Sequence, residues 1–274
     1  MTSDLLFVRA MIVSRQAGLR GQFRRAGASS RIPLEIVEAA DATAACNSLG
    51  AGIDLIYLDG DLPAAEITEV VASRPAADRP PFTVLLGSPK TAGKVFETDG
   101  LAVKPSGTEA VQALIDRSVR VRAPSRALVV DDSPTMRSIV RKALAATRFQ
   151  FAVTEASEGL AALKLVREGD FHIVFLDYNM PDFSGLETLA EMRREKRAIS
   201  VVLISSTQDE TVAERARADG AAFIKKPFFP ADIENALCSF YGLRALNQLK
   251  VGGVTAATAR RKIRRCECER RNFR

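Results

Sequence analysis

Short apolar runs and amphipathic stretches alternate along this chain, and they do so twice. In the better-patterned half, Ala127–Val130 is a continuous apolar run, as in a strand buried on both faces. Ser133 followed by Pro134 supplies a helix N-cap and a first helical residue. Met136, Ile139, Val140, Ala143 and Leu144 then recur at helical spacing, and Phe149, Phe151 and Val153 alternate as a strand does. The same reading predicts helix Leu160–Arg167, strand Ile173–Leu176, helix Leu186–Arg193, strand Val201–Ile204, helix Thr211–Ala218 and strand Ala222–Ile224. A last helix places Ile233, Ala236, Leu237, Phe240 and Tyr241 on one face. Five strands alternating with five helices predict an α/β fold with a doubly wound parallel sheet. Its site should lie at the carboxyl ends of the strands.

The first half repeats this pattern. Arg9-Ala10-Met11-Ile12-Val13 returns as Arg126-Ala127-Leu128-Val129-Val130. Ile53–Asp59 returns as Phe171–Asp177, each followed four residues later by a proline, Pro63 or Pro181. Val84-Leu85-Leu86 matches Val202-Leu203-Ile204, and Lys104-Pro105 matches Lys226-Pro227. The repeating unit is therefore a whole domain, not a solenoid module. The expected organisation is a first domain over 1–121, a linker over 122–125, a second domain over 126–246 and a tail over 247–274. Ser88–Gly100 carries no clear apolar stripe, so the first copy's fourth helix is expected to be short or irregular.

Composition adds little until charge is mapped. The 274 residues are 47% hydrophobic and 26% charged, ordinary for a globular chain. No apolar run approaches the ~18 residues of a membrane span, and the N-terminus lacks a secretory pattern, so a cytoplasmic protein is expected. The net charge is +6, and Arg260–Arg274, with eight basic and two acidic residues, accounts for all of it. The body is neutral and the tail basic. Val251-Gly252-Gly253-Val254 reads as a flexible joint leading to Arg260, Arg261, Lys262, Arg264 and Arg265, which could bind nucleic acid, anionic lipid or an acidic nucleotide. Four cysteines and a single histidine, His172, exclude a multi-histidine metal centre and fit a reducing compartment.

The chemistry gathers at the predicted strand ends of the second copy. Asp131 and Asp132 follow the first strand, Asp177 the third, Ser205 the fourth and Lys226 the fifth. Three carboxylates at one mouth repel one another unless a divalent cation joins them, and hard oxygen ligands with open positions suit Mg²⁺. A hydroxyl and an ammonium opposite suit an anion bridging to that metal.

Val129-Val130-Asp131-Asp132-Ser133-Pro134, Leu176-Asp177-Tyr178-Asn179-Met180-Pro181, Ser205 and Lys226-Pro227-Phe228 together resemble the receiver domain of two-component response regulators, over about 126–246. The resemblance implies a receiver (flavodoxin-like) fold for both copies. It implies that Asp177 accepts a phosphoryl group from a histidine kinase or phosphotransfer protein. Mg²⁺ would be held by Asp132 and Asp177, by Asp131 close by, and by the Asn179 backbone carbonyl. Lys226 would neutralise phosphoryl oxygens, Ser205 would donate to one of them, and Phe223 would be the aromatic that turns inward with that hydroxyl.

The first copy departs from this pattern. Ser14 and Arg15 stand at the acidic pair and Gly87 at the hydroxyl position, while Asp59 and Lys104 remain. Arg15 is expected to pair with Asp59 in place of a metal, making this copy a pseudo-receiver for interaction or dimerisation. Asp59-Gly60-Asp61 also looks like a haloacid-dehalogenase-type phosphatase motif, but the repeat aligns Asp61 with Asn179 and sends Asp131-Asp132 to the other domain. The expected protein is a tandem-receiver response regulator without a DNA-binding output domain. It would act by phosphorylation-controlled binding to a downstream protein target, in the homodimeric state or not, and not as an enzyme. The alternative is a constitutive anion or nucleic-acid binder whose receivers only dimerise. Indifference to Asp177→Ala would favour that alternative.

Overall fold

A computed structural model describes residues 7–30, 32–77, 79–87, 97–181, 183–195, 199–244, 250–251 and 254–255. The chain forms two compact units, one running up to Val119 and taking in Tyr241–Arg244, the other comprising Arg120–Phe240.

The first unit runs β1 (Val8–Val13), α1 (Ala17–Ala28), β2 (Leu34–Ala39), α2 (Ala42–Ser48), β3 (Leu55–Asp59), α3 (Ala64–Ala72), β4 (Phe82–Leu86), β5 (Gly100–Ala102) and α4 (Thr108–Ser118). The second runs β6 (Ser125–Val130), α5 (Pro134–Ala145), β7 (Phe151–Ala156), α6 (Gly159–Glu168), β8 (Ile173–Asp177), α7 (Gly185–Glu195), β9 (Ser200–Ser205), α8 (Glu210–Ala218), β10 (Ala222–Lys225) and α9 (Pro230–Phe240). The sheet orders are β2-β1-β3-β4-β5 and β7-β6-β8-β9-β10, every pairing parallel. This is the doubly wound receiver-type architecture expected of both halves, and the chain switches direction across the sheet beside β1 and β6.

Local chemistry explains the main elements. β3 and β8 are buried along their whole length, because helices cover both faces of a parallel sheet. The Ser133 hydroxyl accepts from the Met136 amide (3.4 Å), and Pro134 fills the first turn of α5. α5 then turns Val140, Ala143 and Leu144 inward. Asp209 caps α8 by accepting from Thr211 N at 2.9 Å, and Asp41 caps α2 through Ala44 N at 2.9 Å. On the far side of the second sheet Leu163, Val166, Leu176, Leu189, Met192 and Leu203 join one apolar cluster.

Three sequence expectations change. Ser125, placed in the linker, is buried and opens β6, its amide donating to Gln150 O at 2.9 Å. Tyr241–Arg244, counted with the second copy, belongs to the first unit. There Leu101 and Arg244 exchange two backbone hydrogen bonds of 3.1 and 2.7 Å, and Leu243 is buried against Gly100. β5 is an edge strand of three residues, and this antiparallel bridge satisfies backbone groups it would otherwise present to water. The stretch expected to be a flexible joint instead carries a short antiparallel ladder, β11 (Lys250–Val251) with β12 (Val254–Thr255). Gly252 and Gly253, the centre of the expected joint, lie outside the described residues. Residues 88–96 of the Ser88–Gly100 stretch expected to hold an irregular fourth helix, both tail cysteines, and Arg260, Arg261, Lys262, Arg264 and Arg265 lie outside the described residues.

Candidate phosphoacceptor site

Parallel register brings the polar strand ends of the second unit together. Val130 pairs with Leu176, and Asp177 with Ile204, so Asp131, Asp177 and Ser205 emerge at one level. The Lys226 amide donates to Ser205 O at 2.7 Å, carrying the lysine to the same mouth. Ligand atoms of Asp131, Asp132 and Asp177 all lie within 4.8 Å of one another. Asp131 and Asp177 are buried, at 5% and 3% exposure, while Asp132 faces solvent. Two buried carboxylates this close need a counter-charge. Lys226 supplies one, its Nζ donating to Asp177 Oδ1 at 2.9 Å and Asp131 Oδ2 at 3.1 Å.

Burial pushes the Asp177 carboxyl above the usual aspartate range. The Lys226 hydrogen bond works against that shift, and the Asp131 charge works with it. Burial would lower the Lys226 ammonium, but its bonds and charge contacts to Asp177 and Asp131 win, and it is held up and charged. The site thus keeps a desolvated carboxylate beside a permanent cation, with an exposed carboxylate at its rim.

Neighbouring groups fix these side chains. The Asp131 carboxylate accepts from Ser133 N at 2.9 Å. Gly185 packs so tightly that a Cβ there would meet Asp177 O at 2.4 Å and Tyr178 Cα at 2.8 Å; its amide also donates to Tyr178 O at 3.0 Å. The buried Ser205 hydroxyl accepts from Thr207 N at 3.0 Å. Asn179 reaches across with its side-chain amide to Ser206 Oγ at 2.9 Å. Phe223 lies half-buried on β10 against the core cluster.

The first unit holds the corresponding positions in the same register, with Val13 opposite Leu58 and Asp59 opposite Leu86. Gly87, which follows β4 as the counterpart of Ser205, brings no hydroxyl, and its amide donates to Ala102 O at 2.9 Å. The expected Arg15–Asp59 pair does not form. Arg15 is largely exposed and turns outward to Glu66 on α3. Asp59, only 1% exposed, accepts from Ser14 Oγ at 2.6 Å and Lys104 Nζ at 2.7 Å. Lys104 also reaches Asp61 at 2.7 Å, so it, not Arg15, supplies the charge that replaces a cation. A buried carboxylate is satisfied by the nearest donors already aimed at it, and Arg15 leaves its strand end pointing to water. The phosphatase-like grouping fails as well, since Asp59-Asp61 and Asp131-Asp132 belong to different units.

With the pocket in view, the relatives fall into place. Residues 127–238 match the family described as response regulator receiver domain. Over 130 residues, 46% of this chain and 95% of the relative, the chain is 32% identical to the chemotaxis protein CheY-3 of Vibrio cholerae serotype O1. The chain belongs to the response regulator receiver family.

It is also 28% identical, over half its length and 59% of the relative, to the nitrate/nitrite response regulator protein NarL of Escherichia coli K12. The chain also resembles a solved structure described as a probable two-component system response regulator/GGDEF domain protein. The TM-score is 0.51 at 23% identity, covering 85% of this chain and 97% of that one, a likeness of fold. Among the described residues, no helix is long and apolar enough to cross a membrane.

Sequence reading missed four residues around the two receiver pockets. Arg137 Nη1 donates to the carbonyls of Asp131 (2.8 Å) and Asp132 (3.3 Å), and its Nε donates to Glu155 at 3.0 Å. In the first unit Arg20 donates to Ser14 O at 2.6 Å and pairs with Glu38 at 3.5 Å. The repeat itself carried the signal: each arginine lies six residues after Ser14 or Asp131, and each glutamate immediately precedes the last residue of β2 or β7.

Proposed function

We propose that this protein is a phosphorylation-controlled response regulator whose second receiver takes a phosphoryl group on Asp177, while its first receiver holds a closed, non-accepting pocket. The observation that carries the reading is the contrast between the two mouths. Each aspartate meets a lysine, but Asp177 has two further carboxylates beside it, whereas Asp59 has the Ser14 hydroxyl at the place of Asp131.

The donor set of Asp131, Asp132 and Asp177 is all hard oxygen and fits Mg²⁺, with the Asn179 backbone carbonyl as a further ligand implied by the family. When bound, the cation supplies charge neutralisation at the phosphoryl oxygens and relieves carboxylate repulsion. Asp177 is the nucleophile. One of its oxygens attacks phosphorus in line, the P–N bond of a donor phosphohistidine breaks, and the imidazole nitrogen leaves with its electron pair and is reprotonated from solvent. Lys226 moves its hydrogen bonds from the two carboxylates onto a phosphoryl oxygen. Ser205 exchanges its loop contact for another phosphoryl oxygen, and Phe223 follows the β9–α8 loop inward. The changed surface binds a downstream protein target. Phosphoryl donors are a histidine kinase or phosphotransfer protein in a cytoplasmic setting, in keeping with a chain of only four cysteines. The protein's role is binding, not turnover of a substrate.

The test is intact-mass measurement after incubation with Mg²⁺ and a small phosphoramidate donor. One phosphoryl group is expected on the parent and on Asp59→Asn, and none on Asp177→Asn. Incorporation surviving Asp177→Asn would overturn the reading.

A further inference from the structure

Both units build the same clamp behind their first strand. In the second, Arg137 on α5 donates to the carbonyls of Asp131 and Asp132, and its Nε is held by Glu155 on β7. Arg141, one turn further, braces the other oxygen of Glu155 at 3.1 Å. In the first, Arg20 on α1 donates to Ser14 O, Glu38 on β2 receives Arg20, and Arg24 braces the other Glu38 oxygen at 3.0 Å. All three side chains recur at the same place in the repeat, although the acidic pair itself is Ser14-Arg15 in the first unit. The clamp therefore acts on the backbone of the loop rather than on a carboxylate.

We infer that Arg137, locked by Glu155 and Arg141, is a positioning residue for the Asp131-Asp132 loop and sets the affinity of the second receiver's pocket for a divalent cation. The inference rests on the metal site proposed above. Arg137 is mostly covered, at 17% side-chain exposure, and its fork fits two carbonyls and one carboxylate at once, which a lysine cannot do. Holding both carbonyls fixes the turn between β6 and α5, and so fixes where the two carboxylates point. Glu155 offsets one of the clamp's two positive charges, and the other rests on Arg141, which is more than half exposed and screened by water.

Charge and position predict opposite signs. If Arg137 acted only as a nearby positive charge, removing it would tighten cation binding. If it positions the loop, removing it loosens the convergence of the carboxylates and weakens binding. Losing a group that orients metal ligands typically costs roughly 10–100-fold in affinity.

The experiment is calorimetric titration of the full chain with MgCl₂, without any phosphodonor, on parent, Arg137→Met, Arg137→Lys, Arg20→Met and Asp132→Ala. Urea unfolding of each protein is measured alongside. Arg137→Met should bind Mg²⁺ about tenfold or more weakly, Arg137→Lys at least several-fold more weakly, and Arg20→Met as the parent does. Should Arg137→Met not fold cooperatively, Arg137→Lys carries the comparison. Parent-like or tighter binding by the folded Arg137 variants overturns the positioning role alone, as does equal weakening by Arg20→Met. No Mg²⁺ binding by the parent, or parent-like binding by Asp132→Ala, overturns the metal site and the clamp's role with it.

Discussion

Lys104 Nζ lies 2.7 Å from Asp59 Oδ1, and Lys226 Nζ lies 2.9 Å from Asp177 Oδ1. The two lysines leave equivalent edge strands and meet equivalent carboxylates, yet their second contacts differ. Lys226 turns next to the buried Asp131, whereas Lys104 turns to the exposed Asp61 while Ser14 closes the other side of Asp59. The second pocket sets three carboxylates against one ammonium, and the first sets two against one, with the Ser14 hydroxyl where the other has Asp131.

Removing Lys104 should therefore cost stability rather than signalling. Lys104→Met leaves the buried Asp59 with Ser14 as its remaining side-chain donor, a loss on the order of 2–3 kcal/mol after allowing for the lysine's partial exposure. Adding Asp59→Asn to that variant should recover part of the loss, because the amide needs no counter-charge. Urea unfolding of parent, single and double variants checks this. A double variant less stable than Lys104→Met would contradict it.

Asp132 should matter for metal but little for folding. It is exposed, so Asp132→Ala is expected to leave the unfolding midpoint nearly unchanged while weakening both Mg²⁺ binding and phosphoryl incorporation. Added chelator should abolish incorporation in the parent. Parallel titrations by calorimetry and intact mass measure both effects.

Gly185 should not tolerate a methyl group. A Cβ would sit 2.4 Å from Asp177 O, a contact with backbone that no rotamer relieves. Gly185→Ala is expected to displace the loop after β8, costing about 1–3 kcal/mol in stability and slowing phosphoryl incorporation at Asp177. Denaturation and incorporation time courses would show both together; a parent-like rate would mean that the loop shifts without moving the carboxylate.

His172 gives the second receiver an acid sensitivity. Its Nδ1 accepts from Arg126 N at 3.0 Å, so the neutral ring is the folded form. Burial lowers its pKa, and the positive Arg120 and Arg126 lower it further against the opposing Asp170. Because the folded value lies below the unfolded ~6.5, this contribution is present in full above about pH 6.5. It is lost as acid protonates first the unfolded and then the folded ring. His172→Asn, whose amide oxygen can take the same hydrogen bond, should flatten the decline in urea midpoint between about pH 7 and 5. An unchanged decline would place the acid-sensitive group elsewhere.

Sequence by itself determined the parts of this protein that depend on periodicity. Apolar runs at Ala127–Val130 and Ile173–Leu176, each ending in aspartate, place those carboxylates on one edge of any parallel sheet, because parallel strands all end on the same side. The repeat carried the register into the first unit, so Ser14, Asp59, Gly87 and Lys104 stand where expected. Tertiary structure decided which charge meets which. Whether Asp59 takes Arg15 or Lys104 depends on side-chain direction and burial, and α3 offers Glu66 to an arginine already facing water. The Arg137–Glu155 clamp and the bridge between Leu101 and Arg244 likewise join residues far apart in the chain. Such pairings are set by how helices and strand edges pack, so the repeat can mark the clamp's residues but the local pattern of apolar and polar positions does not say which of them meet.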